Sequence, residues 1–280
     1  MSESLEGLRR WIGRERTVED VLALGPARGL CALLDRSPAW VAAGEPLPPL
    51  WHWLYLHDAA PQLRIGPDGH ERRGDFLPPV AFPRRVWAGG RVRFLGPLLL
   101  GAPAARTSRV EDIEEKHGRS GDFVRVTVRH RLEGPAGPAI DEVQQLAYRP
   151  AITAPAGASP AGAPSDLPAA QWSDEFDPTP VALFRFSALT FNSHRIHYDQ
   201  PYVTGTEGYS GLIVHAPLLA LLLLDAALRR RTAPPTGYEY RALAPAFAGA
   251  HVHLRGHTGD DGTEVWAESA GSVVMRGALH

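Results

Sequence analysis

A chain of 280 residues with 44% hydrophobic content is long enough for one large domain or two of ordinary size, each with a sizeable core. Its 29 basic residues against 31 acidic ones leave a net charge of -2, which gives no electrostatic footprint for nucleic acid or an anionic membrane surface. The single cysteine, Cys31, rules out an internal disulfide. The opening MSESLEGLRRWIGRERT is charged throughout and has no apolar core of signal-peptide type, so the cytoplasm is the expected location.

Residues 17–35 begin with Thr17 and place Asp20 three positions on, like a capping box, then carry Val18, Val21, Leu22, Leu24 and, past Gly25-Pro26, Leu30, Leu33 and Leu34. This predicts one helix, broken or kinked at Pro26. Period two then takes over. In residues 123–131, Val124, Val126 and Val128 alternate with Arg125, Thr127 and Arg129, the pattern of a strand with one wet face. Residues 84–94, 106–113 and 141–148 are further strand candidates.

Residues 150–168 (PAITAPAGASPAGAPSDLP) have almost nothing to bury and read as an extended, semi-stiff connector. Beyond it, residues 181–189 predict a strand, 191–203 a loop, 216–230 a helix, and 238–242, 251–256, 264–269 and 272–278 four more strands. Asp260-Asp261-Gly262 makes a hairpin turn between two of these. Residues 213–228 are the most apolar segment. His215, Pro217 and Asp225 interrupt it, and it falls short of the roughly 20 apolar residues of a membrane span. It predicts a buried helix.

A helix apolar nearly all round, PLLALLLLDAAL, must be surrounded, and a curved antiparallel sheet wrapped around it does that. The expected class is α+β, a double hot dog: residues 1–150, a linker at 151–170, and residues 171–280. Two copies in one chain would imitate the dimer that single hot-dog domains usually form. Pro217 suits the first turn of the apolar helix, and Arg229, Arg230 and Arg231 complement the negative end of its dipole. The N–H groups at its start can stabilise negative charge developing on a carbonyl oxygen. Pro217 and His215 capping an ordinary core helix is the plainer reading.

The stretch FNSHRIHYDQPYV, residues 191–203, gathers two histidines, an asparagine and an aspartate. From the residues alone it is a polar loop, a metal site through His194, His197 and Asp199, or half of an active site. The metal spacing is weak, because no Cys or Glu-x-x-His pattern supports it.

The spacing of this stretch from Ile213-Val214-His215-Ala216-Pro217-Leu218 resembles the MaoC-like hydratase/dehydratase family, whose signature is Asp-x-Asn-Pro-x-His-x-Asp followed by an Ile-Val-His-Gly-Met-type helix entry. Asn192 falls at the first acidic position, His194 and Arg195 at the Asn-Pro pair, His197 at the catalytic histidine and Asp199 at the last acidic position. The identities FNSHRIHYD and EGYSGLIVH, with Trp87-Ala-Gly-Gly-Arg and Glu114-Glu-Lys-His-Gly-Arg-Ser-Gly-Asp in the first half, are similar to the mesaconyl-CoA and itaconyl-CoA hydratases and the type 2 hydroxyacyl-thioester dehydratases.

The resemblance implies a non-catalytic first hot dog, a catalytic second one, and a hydro-lyase acting on an acyl-CoA thioester, with no cofactor and no metal. His197 is the expected general base, and Asn192, which cannot take up a proton, the expected water-positioning group. The Ala216 N–H, beside His215, would hold the thioester oxygen, with Asp199 and His194 in support. A substrate with a distal carboxylate would need an arginine, Arg185 or Arg91, and Lys116 and Arg119 could meet CoA phosphates. The competing functions are a 3-hydroxyacyl-thioester dehydratase of fatty-acid synthesis and a non-catalytic acyl-CoA-binding hot dog. Neither nucleic acid nor a membrane is an expected partner, and a homodimer of double hot dogs is the expected assembly.

Overall fold

Alternating burial along long strands builds the first of two units in a computed structural model, which describes residues 4–118, 121–151, 166–260 and 262–280. That unit comprises Met1–Trp87, Phe94–Ala151 and Ala188–His194; the second comprises Ala88–Arg93, Ile152–Ser187 and Arg195–His280. The predicted connector lies almost wholly outside the described residues, as do Arg119 and Asp261.

The chain opens with helix α1 (Leu5–Arg9), strand β1 (Glu15–Val21) and helix α2 (Leu24–Leu33). Strands β2 (Arg84–Phe94), β3 (Pro103–Gly118), β4 (Gly121–Gly134) and β5 (Gly137–Arg149) follow. In the first unit β1, β3, β4 and β5 pair antiparallel in that order. Val124, Val126 and Val128 of β4 face a core with Leu8, Phe76, Val110 and Tyr148, as their alternation requires.

The helix predicted over residues 17–35 is instead a strand followed by a shorter helix. Thr17 lies opposite Thr107 in the β1–β3 ladder, and their hydroxyls meet at 3.1 Å. Pro26 falls in the first turn of α2, where its missing N–H costs nothing, so it marks the start of a helix and not a kink within one.

The second unit holds β6 (Trp172–Phe176), most of helix α3 (Pro180–Leu189), α4 (Gln200–Gly205), α5 (Ala216–Leu228), β7 (Gly237–Ala242), β8 (Val252–Gly259), β9 (Gly262–Ser269) and β10 (Ser272–Leu279). The strand order is β7-β10-β9-β8-β6, with residues 89–93 of β2 added beyond β7. Helix α5 packs against β7, β8, β9 and β10. Seven consecutive residues, Leu218 to Leu224, are buried, the all-round apolarity read from the sequence. At its end Arg230 donates to the Ala226 carbonyl at 2.8 Å and Arg229 to Asp225 at 2.6 Å, countering the dipole.

Residues 181–189, predicted as a strand, form α3. Thr179 Oγ1 accepts the Ala182 N–H at 3.1 Å, Pro180 begins the helix, and the buried residues Leu183, Phe186 and Ser187 follow helical spacing. The predicted loop at 191–203 also acquires helical turns: a 3-10 turn at Arg195–His197 and then α4.

Candidate active site

The second unit fixes His197 from both sides of a short backbone zipper. Ile213 N–H donates to the Ile196 carbonyl at 3.0 Å, and His197 Nδ1 meets the Ile213 carbonyl at 2.8 Å. A carbonyl can only accept, so Nδ1 carries the proton and the lone pair sits on Nε2. The ring is 6% exposed. Burial pulls its pKa down to about 4, the Ile213 carbonyl opposing this weakly, so His197 is a neutral base at ordinary pH.

His215 stacks on His197 with ring centroids 3.6 Å apart and planes 19° from parallel. It is fully buried, its Nε2 lies 2.8 Å from Ser187 Oγ, and Phe186 meets its ring edge-on at 5.0 Å. Burial, and then the neighbouring His197, hold its pKa well below the ordinary value. Its Nδ1 is buried with no hydrogen-bond partner among the described residues. The next residue, Ala216, opens α5, and Val214 N–H donates to the Ala246 carbonyl at 2.8 Å to fix that entry. As the first residue of a helix, Ala216 has an N–H with no intrahelical acceptor.

Asp199 serves the loop. Oδ1 accepts the Tyr202 N–H at 3.1 Å, capping α4, while Oδ2 accepts from Arg195 Nε and Nη2 at 2.9 and 2.8 Å. The Arg195 guanidinium lies 4.0 Å over the Tyr202 ring. These bonds hold Asp199 below the usual carboxylate range.

In the first unit, Phe191 sits at φ +48°, is 64% exposed and stacks on His57 at 6.2 Å. Asn192 Oδ1 accepts the His194 N–H at 3.0 Å, an Asx turn that leaves the amide one carbonyl lone pair and its NH₂. The buried His194 ring contacts His70 at 4.0 Å. A cavity of about 360 Å³ lies in this unit, lined by Val21, Leu54, Tyr55, His57, Leu189 and Phe191 among others.

The structure thus gathers His197 and His215 with Ser187, which the sequence reading missed. A serine inside an assumed strand carries no signal, but its helical phase beside Phe186 would have turned it inward. His70 and Asp68 were also missed, although they share one Pro-Asp-Gly-His turn. Arg185 lies on a helix and is exposed; Arg91 is exposed on β2, opposite Glu239. Lys116 pairs with Glu114 at 3.1 Å. The three histidines of residues 251–257 belong to the β8 region, where His253 reaches Glu175 and His257 the Ala169 carbonyl.

A family model described as hydroxyacyl-thioester dehydratase type 2 matches residues 50–248. The chain is 42% identical over 260 residues to a mesaconyl-C(4)-CoA hydratase of Chloroflexus aurantiacus, covering 92% of this chain and 91% of that protein. It is 29% identical over 240 residues to the mitochondrial hydroxyacyl-thioester dehydratase type 2 of Schizosaccharomyces pombe, covering 74% and 77%. Among solved structures, a MaoC-like dehydratase from Phytophthora capsici aligns with a TM-score of 0.71 at 15% identity, covering 99% of this chain and 97% of that one. A Mycobacterium tuberculosis protein described as having a double hotdog fold aligns with a TM-score of 0.62 at 13% identity, covering 99% and 97%. The fold is the double hot dog.

Proposed function

The chain belongs to the hydroxyacyl-thioester dehydratase type 2 family, and from that premise we propose that it adds water reversibly to a short enoyl-CoA bearing a carboxylate beyond the double bond. Mesaconyl-C4-CoA and itaconyl-CoA, both yielding citramalyl-CoA, are the leading substrates. The observation that carries this reading is the buried, neutral His197 with its lone pair fixed on Nε2 and the start of α5 three residues after the carbonyl that orients it. The 42% identity to a mesaconyl-C(4)-CoA hydratase supports the substrate class.

In the proposed mechanism, written for mesaconyl-C4-CoA, whose double bond is conjugated to the thioester, His197 Nε2 takes a proton from water as the water oxygen attacks the β carbon; itaconyl-CoA, whose double bond lies one carbon further out, enters the same path once a proton has moved from its α to its γ carbon. The double-bond electrons move onto the thioester oxygen, which the Ala216 N–H stabilises at the positive end of the α5 dipole. The protonated Nε2 then delivers its proton to the α carbon, the thioester carbonyl re-forms, and the base is restored. Asn192, five residues before His197, positions the water through its remaining lone pair or its NH₂. His215 and Ser187 support the His197 ring. Dehydration is the same path reversed.

The family description and the fission-yeast relative favour a second reading, dehydration of a 3-hydroxyacyl thioester. We assign catalysis to residues 171–280 and a non-catalytic role to residues 1–150. We also infer a cytoplasmic homodimer; no helix among the described residues is long and apolar enough to cross a membrane.

The test is a substrate panel. Purified protein is incubated with itaconyl-, mesaconyl-C4-, crotonyl- and long-chain enoyl-CoA, and mass gain of one water is followed against release of free CoA. The reading predicts water addition fastest on the carboxylate-bearing pair. Preference for the long chain would move the assignment to the second reading, and CoA release without hydration would remove both.

A further inference from the structure

We propose that Asp68, His70 and His194 form a binding site for a divalent transition-metal ion of the Zn²⁺ class. All three belong to the first unit, and one ligand atom from each lies within 4.8 Å of the others. Two separately built turns present them. In residues 66–70, Gly66 N–H donates to the His70 carbonyl at 2.7 Å, and Gly69 takes φ +91°, a conformation that favours glycine. This turn sets Asp68 Oδ1 to accept the His70 backbone N–H and Oδ2 to accept from its ring Nδ1, both at 3.1 Å.

His194 comes from the second turn, the one Asn192 closes. Between them Ser193 Oγ donates to the Gly69 carbonyl and staples one turn to the other. The imidazoles consequently stand 4.0 Å apart, tilted by 45°, although 124 residues separate them in the chain. Side chains already fixed in this way lose little freedom on binding an ion.

The donor set selects the ion. Two imidazoles and one carboxylate suit Zn²⁺ and its first-row neighbours, whereas Ca²⁺ and Mg²⁺ prefer oxygen ligands. Three protein ligands leave a position for water, and His70 and Asp68 are about one-fifth exposed, so an ion can enter from solvent. Small rotations of the three side chains would bring their ligand atoms to the usual bond lengths of roughly 2.0–2.2 Å.

Untagged, full-length protein, stripped with a chelator and dialysed, is titrated with Zn²⁺ and Co²⁺ by calorimetry. The variants Asp68→Asn, His70→Gln and His194→Gln are treated alike, with circular dichroism reporting that each remains folded. The expected result is about one ion per chain, affinity lowered at least about tenfold in each variant, and a visible Co²⁺ absorption band that His70→Gln loses. The proposal is overturned if the wild type binds neither ion more tightly than a folded H70Q/H194Q double variant, or if the Co²⁺ band survives in that double variant. Neither outcome bears on hydration, which the substrate panel reads separately.

Discussion

As the proposed base, His197 faces two opposing demands: a ring buried deeply enough to exclude bulk water must still take a proton during turnover. Burial lowers its affinity for the proton to a pKa of about 4, and the Ile213 carbonyl keeps Nδ1 protonated so that only Nε2 serves as base. Because the active form is neutral, kcat/KM should hold steady above this value and fall as pH drops through about 4; a fall centred near the ordinary histidine value of about 6.5 would mean the ring is solvated. His197→Ala should lower kcat by about 10²–10⁴-fold with the substrate still bound. Asn192→Ala should cost less, since an amide only positions the water. Equal losses in the two variants would give Asn192 a larger part than this. The placement of His197 against the entry to α5 was legible in the spacing of two motifs. That of Ser187 was not, because its bond to His215 joins residues 28 positions apart and depends on α3 being a helix.

At the scale of elements, short helical turns carry much of the site's support. Asp199 both caps α4 and pairs with Arg195. Asp199→Ala should therefore destabilise, first through the lost cap and to a lesser extent through the partly exposed ion pair. Asp199→Asn, which keeps a capping oxygen, should recover most of that in a denaturant midpoint; if both variants fell equally, the ion pair and not the cap would be the dominant contribution. The strands of both units were readable where one face is buried and the other wet, as in Val124-Arg125-Val126. Residues 17–21 and 181–187 were not, for a shared physical reason. Each lies beside a proline whose meaning depends on where the helix begins: Pro26 and Pro180 both occupy a first turn, and mistaking the first for a kink or overlooking the second reverses the assignment. The stapled turns at residues 66–70 and 192–194 lay beyond any local pattern, because the bond from Ser193 to Gly69 is fixed only by the tertiary fold.

Across the whole molecule, buried titratable groups tie stability to pH. His130, in the first unit, is also pulled to about 4 by burial, Glu142 opposing this, as His197 is in the second. Both bind protons more tightly when unfolded, so their contribution is complete above about pH 6.5 and is lost as pH falls towards 4. Glu142 behaves differently: burial raises its pKa, but the hydrogen bond and charge of His52, with further help from His130 and Gln144, outweigh this and bring it to about 2. Its stabilisation is present above the ordinary carboxylate range and fades below it. The free energy of unfolding, followed by denaturant titration, should therefore decline steadily from about pH 6.5 to pH 4, by several kcal/mol in total, since each tenfold difference in proton affinity between the folded and unfolded chain is worth about 1.4 kcal/mol. A flat profile across that window would contradict the burial of these histidines.

Turnover in ¹⁸O-labelled water tests the central claim most directly. Wild-type protein and folded His197→Ala are each incubated with mesaconyl-C4-CoA, and the thioester products are weighed by mass spectrometry. A hydratase with His197 as its base predicts one labelled water added to the intact CoA ester by the wild type, and essentially none by the variant. Labelled free acid with released CoA, or water addition by the variant at the wild-type rate, would contradict it.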